Sequence, residues 1–134
     1  MRKGRIPPLL IYCIASTFAA CGVSIAGDGE WRAYSEEADG DVYFYDASRV
    51  QRTRRTHTVW QRIQYKRSVM GASSYQSRLE VDCSEHTVKI LQRTFFSDKH
   101  WQNPAMNTDM KEKPKRSIVA GSAVERLSEI LCDP

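Results

Sequence analysis

The sequence predicts an α+β domain, in which an antiparallel sheet is followed by one helix at the C-terminus. Residues 58–67 and 76–83 alternate between apolar and polar side chains. This period of two is typical of antiparallel strands that bury one face. Residues 122–131 instead repeat their apolar side chains every three or four positions, which is the period of an amphipathic helix. These two patterns place the strands first and the helix last.

The strand at residues 58–67 is the clearest. Val59, Gln61, Ile63 and Tyr65 lie on one predicted face, and Trp60, Arg62, Gln64 and Lys66 lie on the opposite face. Other strands are predicted where β-branched and aromatic residues lie between turn signals, at residues 31–35, 42–45, 49–54 and 88–96.

Two segments are predicted to be loops. Residues 68–75 contain glycine and several serines, and residues 97–116 contain two prolines and two asparagines. The second segment is expected to be a long exposed loop, packed down locally by Trp101, Met106 and Met110. Long loops of this kind often bind partners.

The C-terminal helix has a recognisable start. Ser122 and Glu125 have the spacing of a capping box, in which each side chain bonds the backbone near the other residue. An apolar stripe follows, formed by Val124, Leu127, Ile130 and Leu131. A helix of about ten residues is marginal alone, so we expect its stripe to lie across the sheet.

The first 26 residues have the layout of an export signal. Basic residues at positions 2, 3 and 5 precede an uncharged run to Ala20, and small residues follow to Ala26. Cleavage is predicted either before Cys21, which would then carry lipid, or before Gly27, and residues 27–134 form the domain. An uncleaved anchor is the third alternative, but the apolar run of about 15 residues is shorter than the roughly 20 that span a membrane.

The charge is unevenly distributed. The net charge is +4, and removing the signal leaves 17 basic and 16 acidic residues. This balance argues against a nucleic-acid partner. Residues 28–46 hold seven acids, whereas residues 47–79 hold no acid and eight basic residues: Arg49, Arg52, Arg54, Arg55, Arg62, Lys66, Arg67 and Arg78.

Two explanations of the basic segment stay open. Neighbouring strands can pair it with the acidic segment, or it can form a face for sulfated glycans, acidic lipid headgroups or an acidic protein. For the second explanation, the candidate partner-binding residues are Arg49, Arg52, Arg54, Arg55, Trp60 and Arg62, with Lys111, Lys113, Lys115 and Arg116 of the long loop.

Two of the four cysteines lie within the domain. Cys13 and Cys21 belong to the signal region, whereas Cys83 and Cys132 remain after cleavage. An exported chain with two thiols most simply pairs them, and that bond would tie the helix to a strand. The alternative is a metal site at Cys83-x-x-His86, which lacks a second pair of ligands at useful spacing.

Signatures of catalysis are not found in the sequence. It contains no nucleophile elbow, phosphate loop or dinucleotide motif. His57, His86 and His100 are scattered, and each is expected to be an exposed loop residue. We therefore predict no catalytic residue, cofactor or metal.

The order of these features resembles the surface-adhesin protein E family of Gram-negative bacteria. The matching features are Trp31, the segment 39–46, the segment 59–65, Asp82-Cys83, and Ala120-Gly121-Ser122 leading into a helix that ends at Cys132. The resemblance implies a curled antiparallel sheet of about six strands, with the helix on its concave face and a Cys83–Cys132 disulfide. It also implies an outer-membrane lipoprotein that can dimerise and that binds host proteins such as vitronectin, laminin and plasminogen.

The sequence thus predicts an exported, non-catalytic binding module of the cell envelope, located in the periplasm or at the outer membrane or cell surface. Its expected partner is an extracellular or envelope protein or an acidic glycan. The alternative is a periplasmic structural or envelope-stress protein with an internal partner.

Overall fold

The computed structural model describes residues 29–133. The predicted export signal, both cleavage positions and Cys21 lie outside these residues. Within residues 29–133, no helix is long and apolar enough to cross a membrane.

The described part of the chain contains seven antiparallel strands and one helix. Their bounds are β1 Trp31–Glu36, β2 Val42–Asp46, β3 Gln51–Arg52, β4 Thr56–Val69, β5 Ala72–Asp82, β6 Thr87–Phe96, β7 Arg116–Ser117 and α1 Ala123–Cys132. The sheet order is β1-β2-β4-β5-β6-β7, and β3 also pairs with β4. The predicted α+β class and antiparallel sheet are confirmed.

Strands β2 and β3 lie along the same edge of β4. Tyr45 of β2 is opposite Gln61, whereas Gln51 of β3 is opposite Thr58. The chain therefore leaves β2, turns at Asp46, and rejoins the same edge as a two-residue strand. The strand predicted at residues 49–54 is shortened to this piece.

The helix covers one face of the sheet. Leu127 and Leu131 join a buried cluster with apolar side chains of the three central strands, which are Val59, Leu79, Val81 and Val88. Because side chains alternate along a strand, the residues between these positions point to the opposite face.

The disulfide between Cys83 and Cys132 is present. It joins the residue after β5 to the last residue of α1, across 49 positions of sequence, with Cα atoms 5.8 Å apart. It thus ties the helix to the sheet as predicted, and it uses the sulfur that the alternative Cys83–His86 metal site required.

The start of the helix is confirmed with one change. The Glu125 backbone N–H donates to Ser122 Oγ at 3.2 Å, but the Glu125 carboxylate accepts from Gly121 rather than from Ser122. The prediction that Ile130 belongs to the buried apolar stripe was wrong, because this residue is 43% exposed. Ser128 is buried instead, and its hydroxyl donates to the Glu125 carbonyl.

The loop prediction for residues 68–75 was wrong. Strand β4 continues to Val69, a turn follows at Met70 and Gly71, and β5 begins at Ala72. Both turn residues have positive φ, 51° at Met70 and 85° at Gly71. This geometry permits a two-residue hairpin connection.

The long segment 97–116 is exposed, but its backbone is tied to the sheet. It runs back along β6, with bonds from Ala105 N–H to the Phe95 carbonyl and from Lys113 N–H to the Ile90 carbonyl. The segment thereby occupies the edge of β6, which would otherwise be open to pairing with another chain. The packing predicted for Met106 and Met110 was wrong, because they are 61% and 66% exposed.

His57 is buried in β4, so the prediction of an exposed loop residue was wrong for it. Its Nδ1 atom lies 3.3 Å from Cys83 Sγ, beneath the disulfide. Burial and the nearby charge of Arg52 lower the pKa of this imidazole. His86 and His100 are exposed as predicted.

Candidate functional site

The face of the sheet opposite α1, here called the helix-free face, carries the candidate site. Val59 packs in the cluster beneath the helix. Because side chains alternate along β4, Trp60 and Arg62 point away from the helix. The pairing of β4 with β5 sets Arg78 opposite Trp60 on the same face.

Three tryptophans and two arginines alternate along this face. The Arg49 guanidinium carbon lies 6.0 Å from the ring centroids of both Trp60 and Trp31. The Arg62 guanidinium carbon lies 4.1 Å from the Trp31 ring and 4.7 Å from the Trp101 ring. We call the series Trp60–Arg49–Trp31–Arg62–Trp101 the Trp–Arg ladder. Each such cation–π contact is worth about 0.5–1 kcal/mol near a surface.

Asp46 fixes the position of Arg49 in the ladder. Its carboxylate is fully buried and forms an ion pair with Arg49 Nε. It also accepts from the backbone N–H groups of Glu30 and Ser48, both at 2.9 Å, and from the Ser48 hydroxyl at 2.7 Å. Burial alone would raise the pKa of Asp46, but these donors lower it to about 2. The carboxylate is therefore charged at neutral pH and holds a guanidinium between two indole rings.

Trp101 is placed by a tight turn of the long loop. The Asp98 carboxylate accepts from the backbone N–H groups of His100, Gln102 and Asn103. Trp101 itself has a φ of 56°, and its Nε1–H donates to the Tyr75 carbonyl at 3.1 Å. A bulky residue in this left-handed region is uncommon and costs free energy, so the surrounding bonds hold the indole over Arg62.

A groove of about 380 Å³ opens beside Trp60, and we call it the Trp60 groove. Its polar lining includes two arginines, and Arg78 donates to the Gln51 side-chain oxygen at 3.1 Å. The lining residues are Ser48, Arg49, Val50, Gln51, Thr58, Trp60 and Arg78.

The predicted binding residues fall into three separate places. Arg49, Trp60 and Arg62 meet in the ladder. Arg52, Arg54 and Arg55 are exposed in β3 and the turn that follows it. Arg52 lies opposite His57 in the pairing of β3 with β4. His57 is on the helix side of the sheet, so Arg52 does not share the helix-free face with Trp60.

The four basic residues of the long loop lie along the far edge of the sheet. Arg116 belongs to β7 and pairs with Val88 of β6. Lys113 forms an ion pair of 2.6 Å with Asp109, which partly offsets its charge. Lys113, Lys115 and Arg116 line a second groove of about 290 Å³ with Arg93, Ile90 and Pro114.

Among residues 29–133, the basic segment of residues 47–79 makes several side-chain contacts that are not cross-strand ion pairs with the acidic segment. Its ion pair between Arg49 and Asp46 is local, three residues apart. Arg62 and Arg78 also donate to the side-chain oxygens of Gln76 and Gln51, respectively. Glu37 of the acidic segment pairs with Arg126 of the helix.

The sequence did not identify four residues as part of the candidate site, which are Trp31, Trp101, Arg78 and Gln51. Trp31 and Trp101 are 70 positions apart, and no local pattern links them. Alternation placed Trp60 and Arg62 on a common face, which is the signal that did find part of the site.

The fold and this surface define a disulfide-tied α+β sheet domain whose helix-free face is suited to binding. The model of the family described as surface-adhesin protein E matches residues 31–133. The chain belongs to that family.

Solved structures of Haemophilus influenzae protein E are similar to this chain. Crystal form II is 11% identical, and the match covers 83% of this chain and 96% of that one, with a TM-score of 0.60. A second structure of the same protein is 10% identical over 84% of this chain and 89% of that one, with a TM-score of 0.59. At these identities the likeness shows the fold. No curated protein sequence matches the chain.

Proposed function

We propose that this protein is an exported, non-catalytic adhesin of the cell surface that binds an acidic extracellular partner through the helix-free face. The single observation that carries the proposal is the Trp–Arg ladder, where three indoles and two guanidiniums alternate on the face that α1 leaves uncovered. Tryptophan and arginine are the residues most enriched at binding hot spots.

Pre-ordering of the side chains supports the same proposal. Asp46 holds Arg49, and the Asp98 turn holds Trp101. A surface whose long side chains are already fixed loses less conformational entropy when a partner binds. Family membership supports placing this surface outside the cell.

Labelling of intact cells tests the location. An antibody against the folded domain is expected to bind intact cells, and those cells are expected to attach to a surface coated with an acidic extracellular protein or glycan. Attachment should fall as salt rises, because mobile ions screen exposed charges. Antibody access only after the outer membrane is permeabilised would instead favour the periplasmic alternative.

A lipid on Cys21 is the anchor we propose, since a lipid-bearing first residue would hold the protein on a membrane. The mass of the mature N-terminus tests this directly. We expect a chain that begins at an acylated Cys21, and an unmodified chain that begins at Gly27 would contradict the anchor without affecting the fold.

A further inference from the structure

The chemistry of the Trp60 groove is selective for one kind of ligand. Its lining offers two guanidiniums, the Gln51 amide, and the hydroxyls of Ser48 and Thr58. No carboxylate lines it within the described part of the chain. The groove is therefore rich in hydrogen-bond donors and carries the positive charge of Arg78, whereas the charge of Arg49 is partly offset by its ion pair with Asp46. Its volume of about 380 Å³ lies in the usual range of ligand pockets.

The two guanidiniums are fixed rather than mobile. Asp46 bonds Arg49, and Gln51 accepts from Arg78 at 3.1 Å. Arginine presents a planar fork that matches sulfate and carboxylate oxygens in a bidentate way. Each guanidinium keeps further N–H groups beyond the one that is bonded within the protein. These remaining donors are complementary to a ligand that carries sulfate or carboxylate groups.

Trp60 supplies the remaining wall. Its indole is half-buried in β4, directly opposite Arg78. A flat aromatic ring next to polar donors suits a ligand with one apolar face and a polar rim, which describes a sugar ring. Val50 is the one aliphatic side chain of the lining, so the groove lacks the apolar anchor pocket that a protein hot spot normally fills.

We propose that the Trp60 groove binds an anionic sugar unit of an extracellular polysaccharide, one that carries sulfate or carboxylate groups. This inference rests on the proposed function and names its ligand class. The sugar ring stacks on Trp60, and its anionic groups accept from Arg49 and Arg78.

The test measures the affinity of the exported, disulfide-bonded protein for fluorescent heparin oligosaccharides at about 0.15 M NaCl. The wild type is expected to bind heparin and not neutral dextran. Arg78→Gln should weaken binding about tenfold or more, because it removes a charge-assisted hydrogen bond to the anionic group. Trp60→Leu should weaken binding by a similar factor, because it removes the flat ring on which the sugar stacks. Trp60→Phe keeps a flat ring, so it should weaken binding less than Trp60→Leu does.

Arg67→Gln is the matched control. It removes the same charge from the exposed end of β4, outside the Trp60 groove, and should change the affinity less than about twofold. Thermal unfolding of every variant shows that it is folded.

An equal loss for Arg67→Gln and Arg78→Gln would mean non-specific charge attraction and would overturn the proposal. So would a wild type that prefers no anionic polysaccharide over dextran. If the cells still attach to a coated protein in that case, the adhesin function stands and the sugar site alone is wrong.

Discussion

Asp46 has no exposed surface and nevertheless stays ionised, because four donors surround its carboxylate. Gly29 approaches this group so closely that an added Cβ would lie 2.1 Å from Asp46 Oδ2. Gly29 also has a φ of 80°, which other residues rarely adopt. The start of β1, the turn after β2 and the ladder arginine therefore meet at one carboxylate.

Asp46→Asn is predicted to lower the free energy of unfolding at pH 7 by about 2 kcal/mol. The folded-state pKa of about 2 lies below the ordinary 3.8, and the difference measures how strongly the fold favours the charged form. Urea unfolding at pH 7 measures the change. Asp39→Asn, in an exposed turn, is the control and should change stability by less than about 0.5 kcal/mol.

The same substitution should alter the pH dependence of stability. A lowered carboxyl pKa contributes stability above pH 3.8 that is lost as pH falls toward 2. The wild type should therefore lose about 2 kcal/mol more than Asp46→Asn over this range. Parallel stability curves for the two proteins would show that the carboxylate is not specially favoured by the fold.

Helix α1 attaches to the sheet through a few side chains, which makes its energetics simple to test. Leu127 is fully buried and Ile130 is 43% exposed. Leu127→Ala should cost about 2–5 kcal/mol, because it leaves a cavity, and Ile130→Ala should cost less than about 1 kcal/mol. Chemical unfolding of both variants compares them, and similar losses would contradict the packing of α1 described above.

The helix also shows what periodicity determines and what it does not. Its period identified the side that contains Leu127 and Leu131, which are both buried. It did not fix the width of that side, so Ile130 was included and Ser128 was not. How far the sheet extends under the helix is a tertiary property that the sequence pattern does not contain.

The β4–β5 hairpin explains why Arg78 was missed. Val69 pairs with Ala72 at the turn, but a bulge lies between this pair and the pairing of Gln64 with Ser74. Without the bulge, the turn would set Trp60 opposite Val81 instead of Arg78. Residues that are opposite each other share a face, so this shift would move Arg78 of β5 away from the face that carries the ladder. The turn residues alone do not predict this register.

At the scale of the whole molecule, the disulfide joins the end of helix α1 to the end of the central strand β5. Its 49-residue span restricts the unfolded chain, and the chain-entropy relation gives a contribution of about 4 kcal/mol. The double variant Cys83→Ala/Cys132→Ala should lose stability of that order in urea. Wild type treated with a strong reductant should match the variant, and a loss below about 1 kcal/mol would show that packing alone holds the helix.

The overall architecture was largely predictable, because it follows from local patterns and two cysteines. Strands β1, β2, β4 and β6, the helix and its disulfide all have signals within a few residues of sequence. The ladder was only partly predictable. Trp31 reaches it through the pairing of β1 with β2, and Trp101 reaches it through a loop that bends back over the sheet.

The central claim is that α1 covers one face of the sheet and that partners bind the other. A ¹H–¹⁵N NMR titration with heparin oligosaccharides tests it most directly. The predicted result is that the Trp60 indole signal and the Gln51 and Arg78 amide signals shift, while signals from Ala123–Cys132 do not. Shifts concentrated in the helix, or in the loop from Lys111 to Arg116, would contradict the claim.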